Sequence, residues 1–268
     1  MFENIDLPKA DDVVLGGQNP PPIDGVVLGG LEGVKYRLSS EFVHLRIAAL
    51  EEALKYGDAG LELIFPAMGD AAEEVRDAFD LLFGKSEQIS LLKRNITLWN
   101  KWRKYSLELN IFDVDLREAD LREANLSGAD LRRAKLAEAN LRRTDLTLAD
   151  LRGANLRSAK LQAADLRKAN LSEANFWEAD LSLAKLSEAT LWRTDLRKAK
   201  LTEADLTKSN LTEAKLSEAN FTFANLTEAD LRKASLSKTC FWKANLWKAE
   251  MKGASFQGTT MPDGRILD

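Results

Sequence analysis

Every fifth residue from Ile111 to Phe256 is Leu, Ile, Phe or Met, thirty positions in register without one insertion or deletion. Two residues before each of these, the chain is small almost throughout: Ala119, Ala124, Ala129, Ala134 and Ala139, then Thr144, then alanine again. Helices repeat every 3.6 residues and strands every 2, so neither accommodates this period. On a helix it would smear leucine around the whole circumference. It suits a coil with four five-residue sides, each sending its leucine and its small residue inward before turning a corner. Twenty residues then close one coil, and successive coils stack through β-type hydrogen bonds. Strict self-similarity of this kind marks a solenoid and decides the fold of more than half the chain.

The unit itself, as in Ala119-Asp120-Leu121-Arg122-Glu123 or Ala139-Asn140-Leu141-Arg142-Arg143, resembles the A(D/N)LXX pattern of the pentapeptide repeat proteins. The resemblance implies a right-handed quadrilateral β-helix. At a β spacing of ~4.8 Å, about seven and a half coils would stack to roughly 35 Å.

The full chain has 268 residues, enough for two domains, with 38 basic and 42 acidic side chains and a net charge of −4. Cys240 and His44 are each the sole residue of their type. One cysteine excludes an internal disulfide framework and fits a reducing compartment. There is no cationic, apolar leader at the N-terminus and no apolar run near the length that spans a bilayer. A cytoplasmic protein without a transmembrane segment is expected.

Residues 1–34 hold Pro20-Pro21-Pro22 and a repeated Val-Val-Leu-Gly-Gly, at Val13 and again at Val26. They read as an extended leader. Neither Gly-Gly pair is followed by Lys-Ser or Lys-Thr, which rules out a phosphate-binding P-loop. Residues 35–108 read as helical. Ser39 or Ser40 caps a helix starting near Glu41, with a stripe of Val43, Ile47, Leu50 and Leu54, and Gly57 ends it. A short helix from Leu61 is stopped by Pro66. Asp70 with Glu73 opens a third, carrying Val75, Ala78, Phe79 and Leu82; Gly84 closes it and Ser86 opens the last, carrying Ile89, Leu92, Ile96, Trp99 and Trp102. The stretches Gly33–Leu38, Ile47–Leu50 and Ala53–Gly60, with Glu73–Arg76, are similar to the HEAT-like modules found at the N-termini of cyanobacterial multidomain proteins. That resemblance implies a protein-binding role and a cyanobacterial source. The fold class is therefore α+β by segment: a helical HEAT-like module, then the repeat β-helix over residues 109–260, then a tail over 261–268.

A solenoid needs its ends covered. The last helix runs almost directly into the first coil, so Trp99, Trp102 and Tyr105 are expected to form the lid at that end. At the other end, Pro262 and Asp263-Gly264 break the pattern, and the short tail leaves the last coil partly open. End-to-end dimerisation through the C-terminal coils is one way to cover it.

The interior is filled with leucine and alanine, so function belongs to the outward positions. Those positions need nothing apolar, yet Trp177, Trp192, Phe223, Trp242 and Trp247 occupy them. Trp177 and Trp192 fall on adjoining faces of one coil, and Phe223 and Trp242 on one face a coil apart, with Trp247 around the next corner. Exposed aromatics on a rigid surface suggest a protein-binding site; packing on neighbouring Arg and Lys stems is the competing reading. A basic band, Arg132, Arg133, Arg142, Arg143, Arg152, Arg157 and Arg167, has the look of a phosphate or nucleic-acid footprint. Interleaved Glu138, Asp145, Asp150 and Asp165 argue for a solvated surface instead. Some pentapeptide repeat proteins resemble B-DNA in shape and charge and bind type II topoisomerases. That mimicry needs a strongly acidic surface, whereas residues 111–258 hold 25 basic and 22 acidic side chains.

His44 falls on the polar side of its helix, and Cys240 takes an outward slot with no cationic neighbour pattern, so neither marks a metal site or a nucleophile. No catalytic constellation, cofactor or metal site is expected. The expected function is non-enzymatic protein–protein interaction, a scaffold presenting a rigid solenoid and a helical head. The alternative is a nucleic-acid-linked regulator, acting as a topoisomerase-binding DNA mimic or through the arginine band.

Overall fold

The computed structural model describes residues 29–109 and 114–268, which fall into two compact units, one ending at Gly84 and one spanning Lys85–Asp268. The first Val-Val-Leu-Gly-Gly segment, most of the second, and Ile111 lie outside the described residues.

The first unit contains α1 (Gly30–Leu38), α2 (Val43–Ala53), α3 (Gly57–Ile64) and α4 (Glu73–Leu82). Helix α1 begins inside the stretch read as an extended leader, entered from an extended Gly29. Helix α2 buries Leu45, Ala49, Leu50 and Ala53, whereas Val43, Ile47 and Leu54 of the expected stripe are only half-buried. The buried face turns because α2 packs on α1, α3 and α4 at once. Its small residues admit the neighbours: a Cβ added to Gly60 of α3 would lie 1.7 Å from the Ala53 carbonyl oxygen. Pro66 stops α3 as expected, at the start of a 3-10 turn over Phe65–Gly69. Asp70 accepts the Ala72 amide at 2.9 Å and pairs with Arg46 of α2 at 3.0 Å, tying α2 to the entry of α4.

The second unit opens with α5 (Lys85–Arg94) and α6 (Ile96–Leu109), where the sequence reading has one continuous helix. Asn95 makes the break, its Oδ1 accepting the Leu98 amide at 3.0 Å as a side-chain cap.

The repeats follow as a ladder of parallel bridges between residues twenty apart, from Asp115 with Lys135 to Cys240 with Thr260. Each side makes the same bonds: the Leu121 amide donates to the Asn140 carbonyl at 2.9 Å, Glu123 to Arg142 at 3.0 Å, and Asn140 back to Ala119 at 2.9 Å. At each corner the small residue closes a β-turn on the central one, as Ala124 N–H does on the Leu121 carbonyl at 3.2 Å. The second residue of the turn carries a positive φ, 60° at Glu118 and at Phe223, and the first never does, which defines type II turns. Placing ordinary residues there costs roughly 1–2 kcal/mol each. The inter-coil hydrogen bonds and the leucine core over-determine the conformation.

The central-position leucines from Leu116 to Leu236 are at most 1 % exposed, whereas Leu148 and Leu183, at turn positions, face outward, and the Phe221 and Phe241 rings stack with centroids 5.2 Å apart. Where threonine replaces the small alanine it stays buried by donating to a carbonyl of the preceding coil: Thr144 to Leu121 at 2.7 Å, Thr194 to Leu171 at 2.9 Å and Thr239 to Leu216 at 2.8 Å. In the terminal coil the corresponding Leu246, Met251 and Phe256 are only half-buried. Strand β1 (Thr259–Thr260) pairs antiparallel with β2 (Ile266–Leu267) and covers one side of that coil.

Helix α6 seals the other end. Every backbone group there needs a partner, and side chains of α5 and α6 supply several. Trp99 Nε1 donates to the Asp130 carbonyl at 2.9 Å, Asn100 Nδ2 to the Gly128 carbonyl at 2.9 Å, and Lys85 Nζ to the Arg117 carbonyl at 2.6 Å. Arg103 donates to the Arg132 carbonyl and, at 2.9 Å, to Ser106 Oγ. Trp99 and Trp102 are buried in ring contact at 4.9 Å, as the lid reading requires, while Tyr105 is half-buried.

Candidate partner-binding surface

The outward aromatics divide into two groups. Trp177 and Trp192 are half-buried under cations. Arg157 stands 4.1 Å from the Trp177 ring centroid, and Arg193 stands 4.3 Å from that of Trp192. Arg157 lies twenty residues before Trp177 and so directly over it on the previous coil. Both tryptophan rings thus lie against the guanidinium groups of neighbouring arginines. The C-terminal trio is more open: Phe223 is 51 % exposed, Trp242 40 % and Trp247 57 %. Phe223 N–H donates to the Trp242 carbonyl, so these two are strand neighbours. The Lys243 ammonium lies 5.3 Å from the Phe223 ring and 5.5 Å from the Trp242 ring. Lys248 sits 4.2 Å over Trp247. Trp242 is the most supported of the three, because its ring packs on Gly264 of the C-terminal turn.

Three of the seven arginines of the basic band, Arg132, Arg152 and Arg167, are neutralised within their own repeats. Wherever the unit reads Asp-Leu-Arg, the arginine folds back on the aspartate two residues earlier: Arg132 on Asp130 at 2.6 Å, Arg152 on Asp150 at 2.6 Å and Arg167 on Asp165 at 2.7 Å. Asn-Leu-Arg units send the arginine elsewhere. Arg142 bonds Gln162 Oε1 at 2.9 Å and Arg157 covers Trp177. Arg143 stands 3.5 Å from Glu123. Arg132, Arg133 and Arg152 line a depression of about 330 Å3 with Leu107, Gly153 and Glu173. Asp130, Asp150 and Glu173 balance its charge.

The same pairing perturbs the carboxylates. The Arg117 side chain hydrogen-bonds Asp115 and brings it to about 2; Arg122 does the same to Asp120, also about 2. Burial pushes Asp130 upward, but the Arg132 side-chain and backbone hydrogen bonds more than reverse this and leave it lowered. These are ion pairs internal to the repeat units.

His44 is exposed, with its ring centroid 5.9 Å from that of Phe42. Cys240 Sγ lies 3.5 Å from Thr222 Oγ1 in the outward ladder. Among the described residues no group of His, Cys, Asp and Glu is placed to hold a metal, and no helix is long and apolar enough to cross a membrane. Sequence reasoning missed Arg103, because a charged side chain two turns from the chain's entry into the repeats gives no apolar signal. It also passed over the Asp-Leu-Arg pairs, which the tripeptide itself announces.

Residues 110–147, 149–187, 179–217, 214–246 and 229–263 match the family profile described as Pentapeptide repeats. A comparison with curated protein sequences gives no match. Among solved structures, the chain is similar to HetL, a pentapeptide repeat protein involved in heterocyst differentiation regulation from the cyanobacterium Nostoc sp. strain PCC 7120. Identity is 33 % over 57 % of this chain and 83 % of that one, with a TM-score of 0.25. It is similar to Rfr23 from the cyanobacterium Cyanothece 51142 at 38 % identity, over 39 % of this chain and 64 % of that one, with a TM-score of 0.28. A trypsin-treated variant of QnrB1, a plasmid-mediated fluoroquinolone resistance protein, matches at 19 % identity over 56 % of this chain and 70 % of that one, with a TM-score of 0.38. With the profile matching more than half of its length, and with central, small and turn positions placed as that repeat demands, the chain belongs to the pentapeptide repeat family.

Proposed function

We propose that this protein is a non-enzymatic interaction protein that docks a protein partner on its C-terminal coils through Phe223, Trp242 and Trp247. The observation that carries the reading is the exposure of Phe223 and Trp247, 51 % and 57 %, on outward positions where the repeat needs no apolar group. Aromatic anchors held by a rigid ladder lose little entropy on binding, and such anchors dominate interface energetics. The filled interior leaves recognition to the outward side chains. Neutralisation of Arg132, Arg152 and Arg167 by their own aspartates weighs against the nucleic-acid alternative, and the balanced charge of the repeats weighs against DNA mimicry. We read helices α1–α4 as a HEAT-like second docking surface in a cytoplasmic protein of cyanobacterial type.

The test is affinity capture from a native cyanobacterial lysate with the wild type beside a Phe223→Ala/Trp247→Ala variant. Both side chains are exposed, so the variant keeps the fold. A partner held by the wild type and lost from the variant is the expected result. A partner retained equally by both moves the site away from these coils.

A further inference from the structure

The two ends of the repeat ladder are treated differently. Side chains of α5 and α6 meet carbonyls of the first coil, as described above. At the last coil, the amides of Leu246, Lys248, Met251, Gly253 and Phe256 have no acceptor among the described residues. In every preceding coil the equivalent amides donate to the next one: Leu226 to Asn245, Glu228 to Trp247, Leu231 to Glu250. The carbonyls of Ala244, Ala249 and Ala254 likewise have no donor among the described residues. The edge thus presents more donors than acceptors, in β spacing. It already accepts one added strand, since β2 pairs on β1 along the side formed by Thr259–Thr260.

Charge is concentrated at this same end. Residues 231–258 contain six basic side chains and a single acidic one, Glu250. Lys233, Lys238, Lys243 and Lys248 take the second turn position at four successive corners, all with positive φ. The stems of Lys233 and Lys238 lie against Gly253 and Gly258 of the terminal coil. None of these four lysines, nor Lys252, has a carboxylate within ion-pair distance among the described residues. Elsewhere on the ladder Arg132, Arg152, Arg167 and Arg197 pair with an aspartate of their own repeat, and Lys168 and Lys208 lie 3.6 Å and 3.9 Å from Glu188 and Glu228.

We propose that the terminal coil binds an acidic, extended protein segment, which adds as a strand to the open amides while its carboxylates meet the lysine rim. This deepens, and rests on, the reading of the C-terminal coils as the partner-binding end; it states the chemistry of the partner. Unpaired strand edges recruit extended segments, and a ring of cations with no carboxylate in direct ion-pair contact selects acidic ones. The lysines encircle the end with one at each corner, whereas a nucleic-acid backbone calls for a row along one face. A second copy of the chain would bring the same basic rim against this one, so charge opposes end-to-end pairing.

The test titrates the full chain, by fluorescence anisotropy, against a labelled peptide alternating glutamate and valine, a matched lysine–valine peptide and a labelled duplex DNA. Expected is saturable binding of the glutamate peptide alone, by a monomer in light scattering. A Lys233→Glu/Lys238→Glu/Lys252→Glu variant, whose changes lie away from the aromatic rings, should weaken it by at least about tenfold. The proposal is overturned by absent glutamate-peptide binding, by unchanged affinity in the lysine variant, by tighter DNA binding, or by a dimer at working concentration. These outcomes are separable from the aromatic reading. A lysate partner lost with Phe223→Ala/Trp247→Ala, but no glutamate-peptide binding, leaves the docking end in place and removes only the acidic segment.

Discussion

Replacing Arg103 with methionine removes the one buried charge in the lid of the first coil while keeping an unbranched side chain of similar reach. Arg103 is 1 % exposed and donates to the Arg132 carbonyl and to Ser106 Oγ. Hydrogen bonds from a charged donor contribute about 1.5–3 kcal/mol each, and the relief of guanidinium desolvation returns part of this. A net loss of about 2–4 kcal/mol is therefore expected, felt locally. In a solenoid each repeat is stabilised by its neighbours, so losing a lid frays the adjoining coil before it unfolds the array. Native-state hydrogen exchange reads this directly. At about 1.4 kcal/mol per factor of ten, protection of the Leu126, Leu131 and Arg133 amides should fall on the order of 30- to 1,000-fold, while the Leu191 and Leu211 amides change little. Ser106→Ala, which removes only one acceptor, should cost less. Unchanged protection at Leu131 and Arg133, or an equal loss at Leu191 and Leu211, would refute the assignment of Arg103 as the anchor of this lid.

Three further perturbations follow from the same geometry. Leu166→Ala, at a fully buried central position, should destabilise by about 2–5 kcal/mol in denaturant titration, and Leu246→Ala, half-buried at the open end, by clearly less; equal losses would mean the terminal coil is closed in solution. Asp115 and Asp120 titrate lower in the folded chain, about 2, than the roughly 3.9 of an unfolded aspartate. The folded state then binds fewer protons, so their stabilisation is present above pH ~4 and is lost as pH falls through about 2. Carboxyl NMR titration should show both low values, and Arg117→Gln should return Asp115 toward 3.9; an unmoved Asp115 would dismiss Arg117 as the cause. Gly264→Ala puts a methyl 2.7 Å from a Trp242 ring carbon at φ +90°. It should displace the indole and red-shift tryptophan emission, an effect absent in a Trp242→Phe background.

The five-residue period alone determined the fold of the repeats, because only a twenty-residue return places every leucine inside and every small residue at a corner. The same counting put Arg157 over Trp177 and left Phe223 and Trp247 outward. The tripeptides Asp-Leu-Arg carried the ion pairs in plain view, since a side chain two residues along a strand lies on the same face. The helices were less legible. Asn95 looks like any polar residue until the Leu98 amide needs an acceptor, and the buried face of α2 depends on which three helices press on it. Arg103 is unreadable locally, because what it satisfies is a carbonyl twenty-nine residues away. The difference between the two ends of the ladder was likewise decided by tertiary structure. Periodicity says that a coil stacks on the next, but whether a backbone group at the end finds a partner depends on which distant segment reaches it: α6 does so at the first coil, and β2 does so along only one side of the last.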